Sequence, residues 1–246
     1  MERYSNMHMA RYGKIFPKLY DTLMGDYSHL VNPLAELLKK YSPRPQKVLE
    51  LGCGTGNILT LFPKAKKVYG LDISKEMLAI EKNKIPHAIF VEGNMTNFHI
   101  AETFDLILCM FDAINHLDSA NDWEQTFKHV AQHLEAKGVF IFDSNSLERF
   151  EILKALPIFT RAVGPHVASL DYKKTKNKLE FHFSFFMKLF GNFYTLHERT
   201  IPEISFPLPT IKAMLRKNFV IKKVISVKQE KRFPQSVRYF FVCVKK

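Results

Sequence analysis

The sequence predicts a doubly wound α/β domain around a mostly parallel, seven-stranded sheet. Short apolar runs that are typical of buried strands alternate with helical patterns over residues 45–160. The first run, Lys47–Leu51, leads into three glycines at alternating positions, Gly52, Gly54 and Gly56. A strand that turns through glycines is expected to leave backbone N–H groups facing a crevice, close enough to touch a nucleotide-like ligand.

Length and composition indicate one domain with a modest insertion. The 246 residues are 46% apolar and 24% charged, which is ordinary for a chain with a sizeable core. The three cysteines, Cys53, Cys109 and Cys243, stand in apolar or glycine-rich surroundings, which suits a reducing, cytoplasmic location. The first residues lack the apolar run of a signal peptide, and no stretch of roughly 18 apolar residues predicts a membrane span.

The net charge of +12 is concentrated in the last third of the chain. Residues 1–160 carry 18 Lys/Arg and 19 Asp/Glu, whereas residues 161–246 carry 18 Lys/Arg and 5 Asp/Glu. An acidic or phosphorylated partner would explain this excess. The lysines are dispersed and not interleaved with aromatic residues, so solvent cover is the favoured explanation and a nucleic-acid partner is disfavoured.

The spacing of the glycines excludes one common nucleotide motif. The dinucleotide fingerprint G-x-G-x-x-G would need its third glycine at position 57, where the chain has Asn57. The observed run E-L-G-C-G-T-G instead resembles motif I of the class I S-adenosylmethionine-dependent methyltransferases. The resemblance implies S-adenosylmethionine as cofactor and S-adenosylhomocysteine as product. The residues that it assigns to the cofactor site are Glu50, Gly52, Cys53, Gly54 and Gly56.

Residues 1–44 are predicted to be helical and, from the resemblance, to form a lid over the cofactor. Apolar residues recur at helical spacing on both sides of Pro33, which is expected to open the second helix beside Asn32 as its cap. The run Y-D-T-L-M at Tyr20–Met24 resembles a signature found ahead of motif I in many small-molecule methyltransferases. Tyr20 is therefore a candidate to line the site, with plain core packing as the alternative.

The second predicted strand, Lys67–Leu71, ends at Asp72, which lies 20 residues past Gly52. An acid at this point can accept hydrogen bonds from both ribose hydroxyls. A role for Asp72 as a helix cap is less favoured, because Ser74 can cap the next helix by itself. Ile73 would then flank the adenine.

The third predicted strand, Ile89–Val91, is followed by Asn94 and Met95. The resembled family usually has an aspartate at the Asn94 position, where it contacts the adenine amino group, and the next backbone N–H meets a ring nitrogen. The side-chain carbonyl of Asn94 can accept the same hydrogen bond without charge assistance. We therefore expect adenine binding that is weaker but retained.

The central strand, Phe104–Met110, is predicted to end at the crevice. The segment F-D-A-I-N-H-L that follows resembles a D-S-x-N-Y-L turn of small-molecule methyltransferases, with His116 where tyrosine is common. The resemblance puts Met110 and the residues up to His116 near the transferred methyl group. Asp112 and His116 are the catalytic candidates, and His116 is the preferred base because its ordinary pKa of about 6.5 suits neutral pH. We predict no metal site.

The elements after the fourth strand complete the predicted sheet. A helix is expected from Asn121 to Leu134 with Asp122 as its cap, and a turn at residues 135–138 precedes the fifth strand. The later predicted elements are strand Gly138–Asp143, helix Leu147–Leu156, helix Pro209–Lys217 and strands Phe219–Val227 and Ser236–Val244.

Residues 161–205 depart from the core pattern. Alternating runs at 167–170, 179–185 and 193–197, with turns at 173–178 and 191–192, predict an antiparallel β insertion. It is similar to an insertion that covers the substrate cleft in related methyltransferases. The pocket candidates in it are Tyr194, His197, Glu198 and Arg199. The predicted division is a lid at 1–44, a cofactor-binding core at 45–160, the insertion at 161–205 and completion of the core at 206–246.

The resemblance implies transfer of a methyl group from S-adenosylmethionine to a nitrogen or oxygen of a small-molecule acceptor, by a monomer or a homodimer. One alternative is a nucleic-acid methyltransferase that uses the basic C-terminal region. Against it, the chain lacks N-P-P-Y or D-P-P-Y after the fourth strand and a Pro-Cys dipeptide. Another alternative is a non-enzymatic protein that binds S-adenosylmethionine, which would keep the glycines and Asp72 without turnover.

Overall fold

A computed structural model describes residue 13 and residues 15–25, 27–228 and 237–246. Within these residues, a seven-stranded sheet is accompanied by a separate four-stranded antiparallel sheet. The strands are β1 Lys47–Leu51, β2 Lys67–Asp72, β3 Ile89–Glu92, β4 Phe104–Cys109, β5 Leu134–Asn145, β6 Phe159–Val163, β7 His166–Thr175, β8 Lys178–Phe190, β9 Phe193–Ile204, β10 Phe219–Lys228 and β11 Val237–Lys245. The α-helices are α1 Phe16–Met24, α2 Ser28–Tyr41, α3 Lys75–Lys84, α4 Ala120–His133, α5 Leu147–Lys154 and α6 Leu208–Leu215.

The seven-stranded sheet has the order β10-β11-β5-β4-β1-β2-β3. The neighbours from β5 to β3 are parallel, whereas β11 pairs antiparallel with both β5 and β10. The predicted fold class is confirmed. The strand order reverses between β1 and β4, and the carboxyl ends of such strands open the crevice in which ligands bind.

Apolar clusters cover both faces of this sheet. On one face, Trp123 of α4 is fully buried, and the rings of Phe142 and Phe241 stack with their centroids 4.5 Å apart. On the other face, Leu34 of α2 and Leu78 of α3 belong to a second buried cluster. Burial on both faces explains why the central strands have nearly continuous apolar runs in the sequence.

The second helix begins earlier than the sequence predicts. Pro33 lies inside α2, which starts at Ser28 and has no side-chain cap. The carbonyl of Tyr27 already accepts two backbone N–H groups at 2.9 and 3.0 Å, so the first turn is complete before the proline. The prediction that Pro33 opens this helix beside Asn32 is therefore wrong. Of the predicted lid, residues 1–12, 14 and 26 lie outside the described residues.

Ser119, and not Asp122, caps α4. The Ser119 Oγ accepts the Asp122 N–H at 3.1 Å and donates to Asp122 Oδ2 at 2.7 Å. Asp122 instead occupies the first turn, where its charge suits the positive end of the helix dipole.

Two further boundaries differ from the predictions. The run after the glycines forms only a short 3₁₀ turn, Leu59–Leu61, and not a longer helix. Strand β5 begins at Leu134, which pairs with Phe104 of β4, so residues 135–138 belong to the strand and are not the predicted turn. Ser236 of the last predicted strand lies outside the described residues.

The insertion is a four-stranded sheet in the order β6-β7-β8-β9. All three predicted runs fall within its strands, which extend further than the sequence indicates. The turn predicted at 173–178 consists only of Lys176, with φ of +52°, and Asn177. Strand β6 was not predicted, and it begins at Phe159, ahead of the predicted boundary at residue 161.

Replacement of Ser119 by alanine should lower the free energy of unfolding by about 1 kcal/mol, because an N–H group in the first turn of α4 loses its acceptor. Urea denaturation followed by circular dichroism measures this change. Ser226→Ala, on an exposed position of β10, is the control and should stay within about 0.5 kcal/mol of the parent. Equal losses in both variants would contradict the capping role.

Candidate active site

A cavity of about 350 Å³ lies at the carboxyl ends of β1, β2 and β4, against α1 and the four-stranded sheet. This volume falls within the range of small-molecule sites. The predicted site residues in its wall are Tyr20, Gly52, Cys53, Gly54, Asp72, Ile73, Asn94, Met95, Met110, Asp112 and His116. Of the predicted cofactor-binding residues, Glu50 and Gly56 lie outside this wall.

The glycine turn provides room for a ligand at Gly54. Gly52, Gly54 and Gly56 have φ of +66°, +58° and +79°, which side chains other than glycine rarely adopt. A Cβ on Gly54 would meet no protein atom within 4 Å and would therefore project into the open space of the cavity. A Cβ on Gly52 would instead lie 2.6 Å from the Cβ of Ala113.

Three backbone N–H groups of this turn are used inside the protein. Those of Gly52 and Cys53 donate to the Leu71 carbonyl at 2.7 and 3.2 Å, and that of Gly54 donates to Asp72 at 2.8 Å. The prediction of bare N–H groups is therefore wrong for these three residues. The turn therefore offers a ligand the open space beside Gly54, and not a set of free N–H donors.

Asp72 joins the glycine turn to the end of β2. Its Oδ2 accepts the Gly54 N–H and its Oδ1 accepts the Ser74 N–H, each at 2.8 Å. Burial raises the pKa of this carboxyl, and the backbone hydrogen bonds oppose that rise. The carboxylate keeps acceptor capacity for a ribose hydroxyl. Ser74 caps α3 as predicted, since its Oγ accepts the Met77 N–H at 3.3 Å.

Asp21 of α1 ties the lid helix to the glycine turn. Its Oδ1 accepts hydrogen bonds from Thr55 Oγ1 at 2.6 Å and Asn57 Nδ2 at 3.0 Å, and its Oδ2 pairs with Lys84 Nζ at 2.5 Å. Burial raises the pKa of Asp21, but the hydrogen bonds from Lys84, Thr55 and Asn57 outweigh this effect. The pKa of Asp21 is therefore below its usual value. The sequence motif contains Asp21 but carries no signal of these partners.

Two buried carboxyl groups support the glycine turn from behind. Burial, and then the charges of Glu81 and Asp72, raise the pKa of Glu50 well above its usual value. Burial raises the pKa of Glu81 to about 8, and the Cys53 thiol donates to Glu81 Oε2 at 3.0 Å. A Cβ on Gly56 would approach the Glu81 carboxyl group. Glu50 and Gly56 are thus both neighbours of Glu81 and lie outside the cavity wall.

The side-chain amide of Asn94 is oriented by Thr96. Its Oδ1 accepts the Thr96 N–H at 2.9 Å and the Thr96 hydroxyl at 3.0 Å. Both lone pairs of this oxygen are therefore used, and it has none for the adenine amino group. The amide N–H₂ is the part of Asn94 that remains to meet a ligand, in a wall that it shares with Ile73 and Met95.

The segment after β4 contains two consecutive residues in the left-handed region, Phe111 with φ of +56° and Asp112 with φ of +55°. Such positions cost a non-glycine residue about 1–3 kcal/mol and persist only where the surroundings determine them. The Phe111 ring packs edge-on against Tyr27 at 4.9 Å between centroids, and the Asp112 N–H donates to Asp143 Oδ2 at 3.1 Å. These contacts fix the direction of the Asp112 side chain.

Asp112 belongs to a polar cluster assembled from distant parts of the chain. Arg238 of β11 donates to Asp112 Oδ1 at 2.9 Å and also pairs with Asp143. The Asn145 Nδ2 donates to Asp112 Oδ2 at 2.8 Å and to Glu203 Oε2 at 2.7 Å. The other members of this cluster are each at most 3% exposed: Arg238, Asp143, Asn145 and Glu203. The sequence predicted Asp112 as a candidate, but no local pattern marks Arg238 or Glu203.

The carboxyl groups of this cluster differ in their affinity for protons. Burial raises the pKa of Asp112, but the Arg238 guanidinium and other neighbours outweigh it and hold the pKa below its usual value. Burial, and then the Asp112 charge, raise the pKa of Glu203 well above its usual value. When the pair shares one proton, that proton therefore lies on Glu203 and the negative charge on Asp112.

The end of β9 is fastened to the core beside this cluster. The Asn115 Nδ2 donates to the Ile204 carbonyl at 2.7 Å, and the Asn115 Oδ1 accepts the Asn145 N–H at 3.0 Å. The Ser205 hydroxyl donates to the Asn145 carbonyl at 2.6 Å. The cover of the cavity is thus rigidly connected to the carboxyl end of β5.

His116 stands beside the cluster, with its Nδ1 3.4 Å from the Pro202 carbonyl oxygen. A proton on Nδ1 would donate to this carbonyl and leave Nε2 as an acceptor. Side-chain atoms of Asp112, His116 and Glu203 lie within 4.8 Å of one another, a spacing that would suit a metal ion. The Asn145 amide nitrogen already lies between the Asp112 and Glu203 carboxyl groups, so we propose no metal ion there.

The inner face of the four-stranded sheet forms the far wall of the cavity. Phe181 and Phe183 lie in this wall, and Phe16 of α1 packs against Phe183 with ring centroids 5.1 Å apart. Strand β9 reaches the cavity only near its end, through Ile201 and Glu203. The predicted pocket candidates of the insertion lie outside the wall: Tyr194, His197, Glu198 and Arg199.

Comparison with solved structures defines the class of fold. An S-adenosylmethionine-dependent methyltransferase from Clostridium acetobutylicum superimposes with a TM-score of 0.80, at 26% identity over 94% of this chain and 97% of that one. An amino pentose methyltransferase from Micromonospora echinaspora, solved with S-adenosylmethionine bound, has a TM-score of 0.74 at 18% identity, over 96% and 98% of the two chains. At that lower identity the likeness shows the fold alone.

Sequence comparison agrees with this class. Residues 48–138 match the family model described as a methyltransferase domain. The dTDP-3-amino-3,6-dideoxy-alpha-D-glucopyranose N,N-dimethyltransferase of Streptomyces fradiae is 30% identical over 139 residues, which make up 54% of this chain and 54% of that protein. The chain thus spans about half the length of this relative. The chain is similar to S-adenosylmethionine-dependent methyltransferases in its fold and, over residues 48–138, to the methyltransferase domain in its sequence. Among the described residues, no helix has the length and apolar character to cross a bilayer.

Replacement of Arg238 by glutamine should lower the free energy of unfolding at pH 7 by about 3 kcal/mol, because Asp112 and Asp143 lose their buried cation. Without it, both carboxyl groups bind protons more tightly in the folded than in the unfolded state. The variant should therefore recover part of its stability as the pH falls from 7 to 5.

Urea denaturation at both pH values measures these changes. Arg216→Gln, at an exposed position after α6, is the control and should stay close to the parent at either pH. A loss of the same size at pH 5 and pH 7 would contradict the electrostatic explanation.

Proposed function

We propose that this chain transfers the methyl group of S-adenosylmethionine to a nitrogen of a small-molecule acceptor. The supporting observation is one continuous cavity that joins the glycine turn, Asp72 and the Asp112 cluster. The two ends of this cavity differ in chemistry, as a cofactor site and an acceptor site must. Nitrogen is preferred over oxygen because the Streptomyces relative is named as an N,N-dimethyltransferase.

The cofactor is proposed to lie along the glycine turn. The open space at Gly54 is the feature that a bound adenosyl group would fill, and Asp72 has acceptor capacity for its ribose hydroxyls. Ile73 and Met95 would contact the adenine, and Met110 and Tyr20 would lie toward the sulfonium. When bound, this cofactor supplies an electrophilic methyl group on a positively charged sulfur.

The chain's own part in the reaction is alignment and exclusion of water. The apolar wall of Phe16, Phe181 and Phe183 keeps solvent from the reacting atoms. The fastened end of β9 fixes the acceptor side relative to the glycine turn, so that the nucleophile and the methyl carbon are held in line. His116 remains the proposed base, with its Nε2 directed away from the Pro202 carbonyl.

The finer properties of the acceptor and of the assembly are also proposals. Arg149 lies in the cavity wall and would attract an acidic or phosphorylated acceptor. We keep a monomer or a homodimer and a cytoplasmic location as expectations. A nucleic-acid acceptor is disfavoured, since a cavity of about 350 Å³ under an aromatic cover suits a small molecule.

Gly54→Val should weaken the binding of S-adenosylhomocysteine by at least tenfold, because the new side chain enters the space proposed for the adenosyl group. Gly164→Val is a matched control, since Gly164 has the same φ of +58°, equally open surroundings and a place outside the cavity wall. Isothermal titration calorimetry measures both affinities. Equal binding by the two variants would refute the assignment of the cofactor site.

Turnover distinguishes an enzyme from a non-enzymatic binding protein. The chain, incubated with S-adenosylmethionine carrying an isotopic label in its methyl group, should label small amines from a panel that includes the amino-sugar nucleotide named for the Streptomyces relative. Hydroxyl counterparts of the same compounds should accept at least tenfold less label. Labelling of RNA or DNA with none on any small molecule would support the nucleic-acid alternative and contradict this proposal.

A further inference from the structure

Three hydrogen-bond acceptors converge at the end of the cavity that faces away from the adenosyl position. The Asn145 Nδ2 bridges Asp112 Oδ2 and Glu203 Oε2 at 2.8 and 2.7 Å, so the two carboxyl groups lie side by side. Asp112, Glu203 and Asn145 all belong to the cavity wall. One of these groups comes from the segment after β4, one from β5 and one from the insertion.

The side-chain oxygen of Asn145 has no hydrogen-bond partner among the described residues, although Asn145 is only 1% exposed. The amide nitrogen donates to two carboxyl groups, which fixes the orientation of the amide and identifies this atom as the oxygen. A buried acceptor without a donor costs stability until a donor arrives. This oxygen therefore indicates a ligand that carries N–H or O–H groups.

The charge of the cluster distinguishes an ammonium ligand from a hydroxyl ligand. Arg238 pairs with both Asp112 and Asp143, so the cluster of Asp112, Asp143 and Glu203 has three carboxyl groups for one buried guanidinium. An ammonium group presents three N–H donors and one positive charge, whereas a neutral hydroxyl presents one donor and no charge. Only the ammonium group matches both the acceptors and the charge.

We propose that Asp112, Glu203 and the Asn145 side-chain oxygen form the acceptor subsite and bind a primary or secondary ammonium group. This inference rests on the proposed function and adds Glu203 and Asn145 to its residues. The bound nitrogen must lose a proton before it reacts, and His116, the proposed base beside this cluster, takes that proton. The nitrogen lone pair then forms the bond to the methyl carbon, and the electrons of the broken carbon–sulfur bond stay on sulfur. His116 later returns this proton to water.

The test uses the full chain loaded with S-adenosylhomocysteine and methylammonium chloride as the probe. With ¹³C in the side-chain carboxyl groups, NMR should show saturable shifts at Asp112 and Glu203 as methylammonium is added at pH 7. Methanol and sodium chloride at the same concentrations should give shifts at least fivefold smaller. If methylammonium shifts these signals no more than sodium chloride does, the subsite is refuted by the parent protein alone.

Variants test whether methylammonium binds at Asp112 and Glu203. Asp112→Asn removes the negative charge and should weaken methylammonium binding by at least tenfold. Glu203→Gln keeps the uncharged side chain beside Asp112 and should bind within threefold of the parent, whereas Glu203→Lys should abolish binding. Glu180→Gln, on β8 and outside the cavity wall, is the matched control and should change nothing. Unaltered binding by both Asp112→Asn and Glu203→Lys would overturn the proposal.

The same samples separate this inference from the proposed function. Calorimetry with S-adenosylhomocysteine reports the cofactor site, which lies at the other end of the cavity. Loss of cofactor binding with methylammonium shifts retained would count against the proposed function and for the ammonium subsite. Cofactor binding with no response to methylammonium would count against the subsite alone.

Discussion

The pair of hydrogen bonds on the Asp72 carboxylate is the contact on which the cofactor end of the structure depends. Through the N–H groups of Gly54 and Ser74 it joins the glycine turn to the start of α3 and fixes both at the end of β2. With its donors used in this way, the turn is stable without a ligand, and its open space at Gly54 is preformed. A site that is built in advance loses less free energy to ordering when a ligand binds.

The acceptor end is built on a different principle, because its groups come from separate parts of the chain. Arg238 pairs with both Asp112 and Asp143 in surroundings where an unpaired charge would be costly, and Asn145 bridges Asp112 to Glu203. These groups can meet only when β11 lies beside β5 and the insertion closes over the sheet. The same contacts that complete the fold therefore assemble the polar end of the cavity.

The sequence predicted what depends on local pattern, namely the parallel strands, the glycine turn, Asp72 at the end of β2 and the Ser74 cap. It missed what depends on tertiary structure. Arg238 and Glu203 stand in strands whose neighbours give no hint of a site, and strand β6 is mostly exposed and lacks a clear alternation. The prediction that Pro33 opens the second helix was wrong because the Tyr27 carbonyl completes the first turn of α2 ahead of the proline. The sequence also predicted bare N–H groups at the glycine turn. In the structure these groups donate to the Leu71 carbonyl and the Asp72 carboxylate instead.

The central claim is that the space beside Gly54 and Asp72 is an adenosyl site. A crystal structure of the chain with S-adenosylhomocysteine tests it most directly. The account predicts the ribose within hydrogen-bond distance of the Asp72 carboxylate, the adenine between Ile73 and Met95, and the sulfur directed toward Asp112 and His116. Electron density for the ligand at any other place, or a ribose that makes no contact with Asp72, would contradict it.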